Sequence, residues 1–564
     1  MIYSDYSTEH GDRYISPSST RAVIREVIRR TLRHMPRVLI DTSTGRLNDE
    51  YQLASVFEAL PIFHELVSSM TTRINYVRIK REVRQYFRYV MLSHRWEANE
   101  PLFKLVTRVP VYNLDRSPTH DKLQTFCRFV ENVGFRWAWS DTCCIDQSDH
   151  IVLQEALVAM FKWLQGSAML IVYLRGVHSS SQRGGALARS LWNARAWTLQ
   201  DYIASKVIQF YTEDWMPYLN LTLLNHKLAP QIISEMEQAT GISAQQLMSL
   251  RPGLTSVREK LRLASTRQVT REEDAAYSLF GIFSVTHLPT IYGIGEAALG
   301  RLLAYVLTGS GDVSVLAWTG ESGSFNSCLP AYITAFNGPA TSHIPGPIPD
   351  AEMEIITVVL SSFELDAALR LYDRLNGLSA PWFSACRMKL PCITFHLPPL
   401  SCYRTRSGRV YRADTVAFGS VEIKTRHDLS RMKSLYLVHP WLDTLLERED
   451  KRSVTTEEDV VPSSNTDDEE FSDEERDNDS SLLPESESLL YLAPPPVVPV
   501  DKDTRARRLV ARLRQPFGAL LLAPTGGRDG DYKRVAADGL ITVRFQENVS
   551  LTDILNNVHI LDVL

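Results

Sequence analysis

Cysteine is scarce in these 564 residues: the seven present (Cys127, Cys143, Cys144, Cys328, Cys386, Cys392 and Cys402) are odd in number, and none stands in C-x-x-C spacing. That argues against a disulfide framework and a structural zinc site, so reduced thiols and no metal are expected. Nucleotide fingerprints are missing as well. No G-x-x-x-x-G-K-[ST] occurs, and Gly281, Gly293 and Gly295 do not form G-x-G-x-x-G after a strand, so nucleotide switching in cis is not expected. Long apolar runs are absent: the longest, Ala168 to Leu174, is far too short to span a bilayer. The opening Met1-Ile2-Tyr3-Ser4-Asp5 lacks the basic and apolar regions of a secretory signal, and a cytoplasmic protein without transmembrane segments is the expectation. Charge of one sign is also lacking. A net charge of −5 gives no overall drive toward nucleic acid or anionic membrane, and no nucleic-acid partner is expected.

The remainder is ordinary globular material, 44% apolar and 23% charged, in a chain longer than one hydrophobic core usually organises. Residues 1–36 read as an N-terminal extension with a basic amphipathic helix. From Thr20 to Met35, Val23, Ile24, Val27, Ile28 and Leu32 recur at helical spacing, with arginines on the other face. A membrane-surface or partner helix is one reading; a helix laid on the domain with solvated arginines is preferred. Arg37 to Ile40 reads as a strand and Asp41 to Gly45 as a turn. Between Tyr89 and Tyr211, strand-like runs (Tyr89–Ser93, Phe135–Ser140, Ala168–Leu174, Val207–Tyr211) alternate with helical ones (Lys122–Val133, Ile151–Gln165, Ala194–Ser205). Parallel βαβ units produce that alternation, so residues 37–215 are expected to form a small, doubly wound, mostly parallel α/β sheet. Residues 216–310 look helical. Residues 311–446 look β-rich, through short apolar runs at Val313–Trp318, Glu354–Leu360, Cys392–Leu397 and Val416–Lys424. Residues 447–500 form an acidic, serine-rich insertion expected to be disordered. Strand-like runs at Ala519–Leu522, Tyr532–Val535 and Leu540–Phe545 suggest that residues 501–564 complete the β-rich unit.

Three motifs lie at strand ends and on a subsequent helix: Tyr89-Val90-Met91-Leu92-Ser93-His94-Arg95-Trp96, then Trp137-Ala138-Trp139-Ser140-Asp141-Thr142-Cys143-Cys144-Ile145-Asp146-Gln147, then Arg195-Ala196-Trp197-Thr198-Leu199-Gln200-Asp201. Together, in order and spacing, they resemble the signatures of the fungal heterokaryon incompatibility (HET) domain family. A later stretch, Glu273 to Ile282 with Leu288 to Gly293, is similar to the segment on the C-terminal side of that domain in many members. The resemblance implies an intracellular self/non-self recognition and cell-death signalling protein, acting through self-association or a protein partner. The family is in turn distantly similar to Toll/interleukin-receptor (TIR) domains, flavodoxin-like folds of which some branches cleave NAD with a helix-borne glutamate. Asp201 stands where that glutamate would, one methylene shorter. The resemblance therefore requires no cofactor and leaves NAD open as a substrate.

Independently of family, loops leaving the carboxyl ends of parallel strands converge on one edge, which would bring the segments after Ser93 and Ser140 together. On a helix, Trp197, Gln200, Asp201 and Ala204 share a face, presenting a stacking surface, an amide and a carboxylate suited to ribose; a core Trp197 and a capping or Arg195-paired Asp201 is the plainer reading. His94 and Arg95 could hold a phosphate, or Arg95 could pair with Asp141 or Asp146. Cys143 or Cys144 with His94 and Asp146 could make a thiol hydrolase, although a buried structural cysteine fits better. The candidate site is thus Asp201 as the catalytic carboxylate, with Ser93, His94, Arg95, Trp96, Asp141, Cys144, Asp146, Gln147, Arg195, Trp197 and Gln200 around it. An interaction module and an NAD-cleaving enzyme both remain open.

Overall fold

The computed structural model describes residues 14–181, 184–338, 362–405, 408–432, 434–441, 501–525 and 530–564. The acidic insertion at 447–500 and the run Glu354–Leu360 lie outside the described residues.

The N-terminal unit is built on a six-stranded sheet comprising β1 (Val38–Asp41), β2 (Arg46–Asp49), β3 (Tyr89–His94), β4 (Trp137–Ser140), β5 (Met169–Leu174) and β6 (Ile208–Thr212). The spatial order is β2-β1-β4-β3-β5-β6. β4, β3, β5 and β6 run parallel, with Met91 aligned to both Trp139 and Leu170. Every residue of β3 and β5 is buried, as expected of parallel strands covered on both faces. The expectation of a mostly parallel sheet needs one correction: β1 adds antiparallel to β4, and β2 antiparallel to β1, so the sheet is mixed. The turn at Asp41–Gly45 is the reason. Asp41 accepts from the amide of Ser43 at 3.0 Å and its hydroxyl at 2.6 Å. Gly45 has φ +69°, a left-handed conformation that glycine adopts without a Cβ penalty, and the chain doubles back at once into β2.

The basic helix spans Pro17–Arg33, with Ser16 capping the amide of Ser19 and proline at its first position. Thr20, Ile24, Val27, Ile28 and Leu32 are buried, and the four apolar ones belong to the same core as the sheet. Of its arginines, Arg25 reaches Glu58 at 2.7 Å and Arg30 pairs with Glu26 at 2.9 Å. The helix therefore lies on the domain. Helices Pro118–Asn132 and His150–Gly166 form the expected crossovers, whereas the third is shorter than its pattern, Thr198–Ala204, because residues 194–197 are irregular.

Residues 216–310 carry helices Pro230–Thr240, Ala244–Ser249, Val257–Ser265 and Ala297–Ser310. Val313–Trp318 is not a strand: Val313–Leu316 forms a 3-10 turn. The carbonyls of Leu316 and Trp318 face the buried Arg534 guanidinium at 2.8 and 3.1 Å instead of a neighbouring strand. Beyond it, β7 (Arg387–His396), β8 (Tyr436–Pro440), β9 (Phe517–Pro524), β10 (Asp531–Arg534) and β11 (Val558–Val563) pair in a ring that closes through β8 and β7, making a barrel-like sheet. The strands after residue 500 thus hydrogen-bond to those before 441. Among the described residues, no helix is long and apolar enough to cross a membrane.

Candidate functional site

The strand order reverses between β3 and β5, and the loops leaving β3 and β4 open at that point on the carboxyl edge. A cavity of about 360 Å³ lies there, walled by Ser93 and His94 at the end of β3 and Trp96 beyond it, Asp141 and Gln147 after β4, and Arg195, Trp197 and Asp201 before and within helix Thr198–Ala204. The two loops do meet: Trp96 Nε1 donates to Asp141 Oδ2 at 2.7 Å.

Asp201 is wired inward. Trp192 Nε1 donates to Ser93 Oγ at 2.7 Å, and Ser93 Oγ donates to Asp201 Oδ2 at 2.6 Å. Burial pushes the Asp201 carboxyl up to about 7; neighbouring Asp141 adds to the rise, while the Ser93 hydrogen bond and the charges of Arg267 and Arg195 oppose it. Arg267 is itself buried and fixed, with one guanidinium nitrogen bonded to Thr198 Oγ1 at 2.9 Å and another to Asn193 Oδ1 at 3.0 Å. Asp141 is likewise raised, chiefly by burial, against His94, Trp96 and Arg195. Below His94 sits a buried charge cluster. Glu100 lies 2.5 Å from Lys122 Nζ and 3.5 Å from His94 Nε2. Burial alone would raise Glu100, but those two neighbours win and hold it at about 2.

The structure leaves four expected residues outside the cavity. Arg95 is exposed and forms no ion pair with Asp141 or Asp146. Gln200 is buried and turned toward Met160, its amide 3.3 Å from the sulfur, so it shares the helix but not the site. Cys144 and Asp146 face a neighbouring, more open groove of about 990 Å³. Asp146 is taken up in a turn with Ser148, whose hydroxyl it accepts at 2.6 Å. At Cys143 the thiol-hydrolase reading fails on chemistry: the side chain is fully buried, and its contact with Cys144, together with burial, pushes its thiol well above the ordinary range.

Four wall residues come from beyond the third motif: Thr270, Arg271, Asp274 and Tyr292. Tyr292 donates to Asp274 Oδ1 at 3.0 Å, and the Arg271 guanidinium stacks 4.5 Å from the Tyr292 ring. Burial raises the Asp274 carboxyl, against hydrogen bonds from Trp197 and Tyr292. The signal for Asp274 and Tyr292 was the Glu273–Ile282 and Leu288–Gly293 stretch itself, which is visible in the sequence but carries no local mark of folding back over the sheet edge.

The arrangement offers three carboxyls raised by burial, two of them bonded to a hydroxyl, together with two arginines and several aromatic rings around an enclosed space. Residues 89–207, which carry all three motifs, match the family described as "Heterokaryon incompatibility protein (HET)". This chain carries a HET domain. In it, the domain is succeeded by the helical and barrel-like regions described above. A relative, the vegetative incompatibility protein HET-E-1 of Podospora anserina, is 34% identical over 227 residues, which cover 38% of this chain and 16% of the relative. The match thus spans about a sixth of that protein. No solved structure matches the chain significantly.

Proposed function

We propose that this HET-domain protein acts in heterokaryon incompatibility as an intracellular self/non-self recognition protein, its α/β unit signalling cell death through self-association or a protein partner. The observation that carries this reading is the HET domain at 89–207, supported by the likeness to a vegetative incompatibility protein. Purified protein is expected to assemble as concentration rises, and Asp201→Ala is expected to assemble equally well; light scattering on both proteins tests this. A strictly monomeric protein with no partner would count against it.

The cavity favours a second reading, cleavage of NAD. The parallel order β4-β3-β5-β6 supports a flavodoxin-like, TIR-like unit, and Asp201 lies at its switch point. In this reaction the bond between nicotinamide and ribose C1′ breaks with its electron pair leaving on nicotinamide, and water adds to C1′ and gives up a proton. The products are ADP-ribose, nicotinamide and H⁺. An ionised Asp201 would stabilise the oxocarbenium-like transition state, Ser93 would hold its carboxylate in place, and the aromatic walls would exclude bulk water. The assay is nicotinamide release across protein concentration. Wild type is expected to turn over and Asp201→Ala to lose about 10²-fold or more; an assembled wild-type preparation without release would sink the idea.

A further inference from the structure

Part of the cavity wall is polar and unpaired. His94 Nδ1, Trp139 Nε1, Asp141 Oδ1 and Gln147 Nε2 are buried without a hydrogen-bond partner, and all four residues line the cavity. A native interior seldom tolerates such atoms, because each loses its water on folding and gains nothing in return. Here they come from one place, the ends of β3 and β4 and the loop beyond β4. His94 and Trp139 are 6% and 3% exposed, so bulk water does not satisfy them. Trp96 pins the other Asp141 oxygen at 2.7 Å, which fixes Oδ1 as the free acceptor. In the wall of the same cavity, Gln147 supplies a free amide donor. Leu153, Leu157 and Met160 of helix His150–Gly166 line the same cavity and suit the face of a ring.

We propose that this wall is a recognition subsite for a planar ring group carrying an N–H donor beside an acceptor, held by Asp141 Oδ1 and Gln147 Nε2. Two ligand groups present that edge: the carboxamide of nicotinamide and the amino edge of adenine. The amide or amino N–H donates to Asp141 Oδ1, and the carbonyl oxygen or ring nitrogen accepts from Gln147 Nε2. The inference rests on reading the cavity as a nucleotide site, but it requires no turnover. Asp201, Ser93, Arg195 and Arg271 remain for the ribose and phosphates.

The test is calorimetric titration of the full chain with nicotinamide and, separately, with adenine. The controls are 3-acetylpyridine, which keeps the carbonyl but lacks the amide N–H, and purine, which lacks the amino group. Binding of nicotinamide alone assigns the carboxamide, and binding of adenine alone assigns the amino edge. In either case the control is expected to bind about ten-fold or more weakly, and Gln147→Leu to weaken the ligand about ten-fold or more. The unliganded Gln147→Leu protein is expected to unfold at the wild-type temperature or higher, since an orphaned donor has been removed. If that variant does not fold, Gln147→Glu removes the donor at nearly constant size. Wild-type binding without nicotinamide release from NAD would retire the cleavage reading and leave the subsite standing. The proposal is overturned if neither compound binds, if the controls bind equally, or if the Gln147 variants bind as wild type.

Discussion

Replacing Gly281 with alanine is expected to destabilise the N-terminal unit by about 3 kcal/mol or more, among the largest effects of any single methyl group in the chain. An added Cβ would lie 2.2 Å from Phe161 Cβ and 2.4 Å from its Cγ. Those atoms belong to a buried phenylalanine on helix His150–Gly166, and a Cβ cannot rotate away from its own backbone. The turn carrying Gly281, or the helix, must therefore move. Because the same helix supplies Leu153, Leu157 and Met160 to the cavity, displacement should also weaken ligand binding. Gly539→Ala is the control, since nothing lies within 4 Å of its added Cβ. Urea unfolding of both variants decides the matter: equal midpoints would mean that the contact between Gly281 and Phe161 is not a tight one.

The parallel core of the fold is legible because its strands are short, apolar and separated by helices of the right period. β3, β5 and helix His150–Gly166 fall within two residues of the positions their patterns indicate. The hairpin β1–β2 is only half legible. Arg37–Ile40 reads as a strand, but Arg46–Asp49 has no alternation to mark it and takes its place in the sheet by pairing with β1. Val313–Trp318 misleads for the opposite reason: its apolar run is that of a strand, yet an arginine more than 200 residues away claims its carbonyls. In the site, Ser93, Trp96, Asp141 and Asp201 are legible because topology brings strand ends together. Gln200 is not, since helical spacing gives a face but not which neighbour that face meets, and Met160 occupies it. Arg271, Asp274 and Tyr292 come from a segment whose fold-back no local pattern encodes. The unpaired atoms of His94, Asp141 and Gln147 are visible only once every other partner has been placed.

Asp201→Asn is expected to leave stability near pH 4 little changed and to raise it at pH 8 by an amount on the order of 2–4 kcal/mol. The folded carboxyl holds its proton up to about pH 7, because burial penalises its charge. An unfolded aspartate loses its proton near pH 3.9. Between those values the folded state binds more protons than the unfolded one, so the contribution of Asp201 to stability declines as pH rises from about 4 to 7 and stays low above that range. Asparagine carries no charge to bury, and its oxygen can still accept the Ser93 hydroxyl that Asp201 accepts at 2.6 Å. Thermal unfolding of both proteins from pH 4 to 8.5 should therefore give curves that lie close at the acid end and diverge steadily up to about neutrality. Parallel curves would show that the carboxyl ionises normally in the folded protein. The same titration bears on chemistry. If an ionised Asp201 supports ribosyl transfer, wild-type nicotinamide release must climb with pH through about 7, while Asp201→Asn stays flat and low. A carboxylate kept at a cost in stability, at the switch point of the sheet and with its hydroxyl partner already in place, is what a site that uses charge requires. A merely structural aspartate at this position would be replaced by asparagine with a gain in stability and no loss of function.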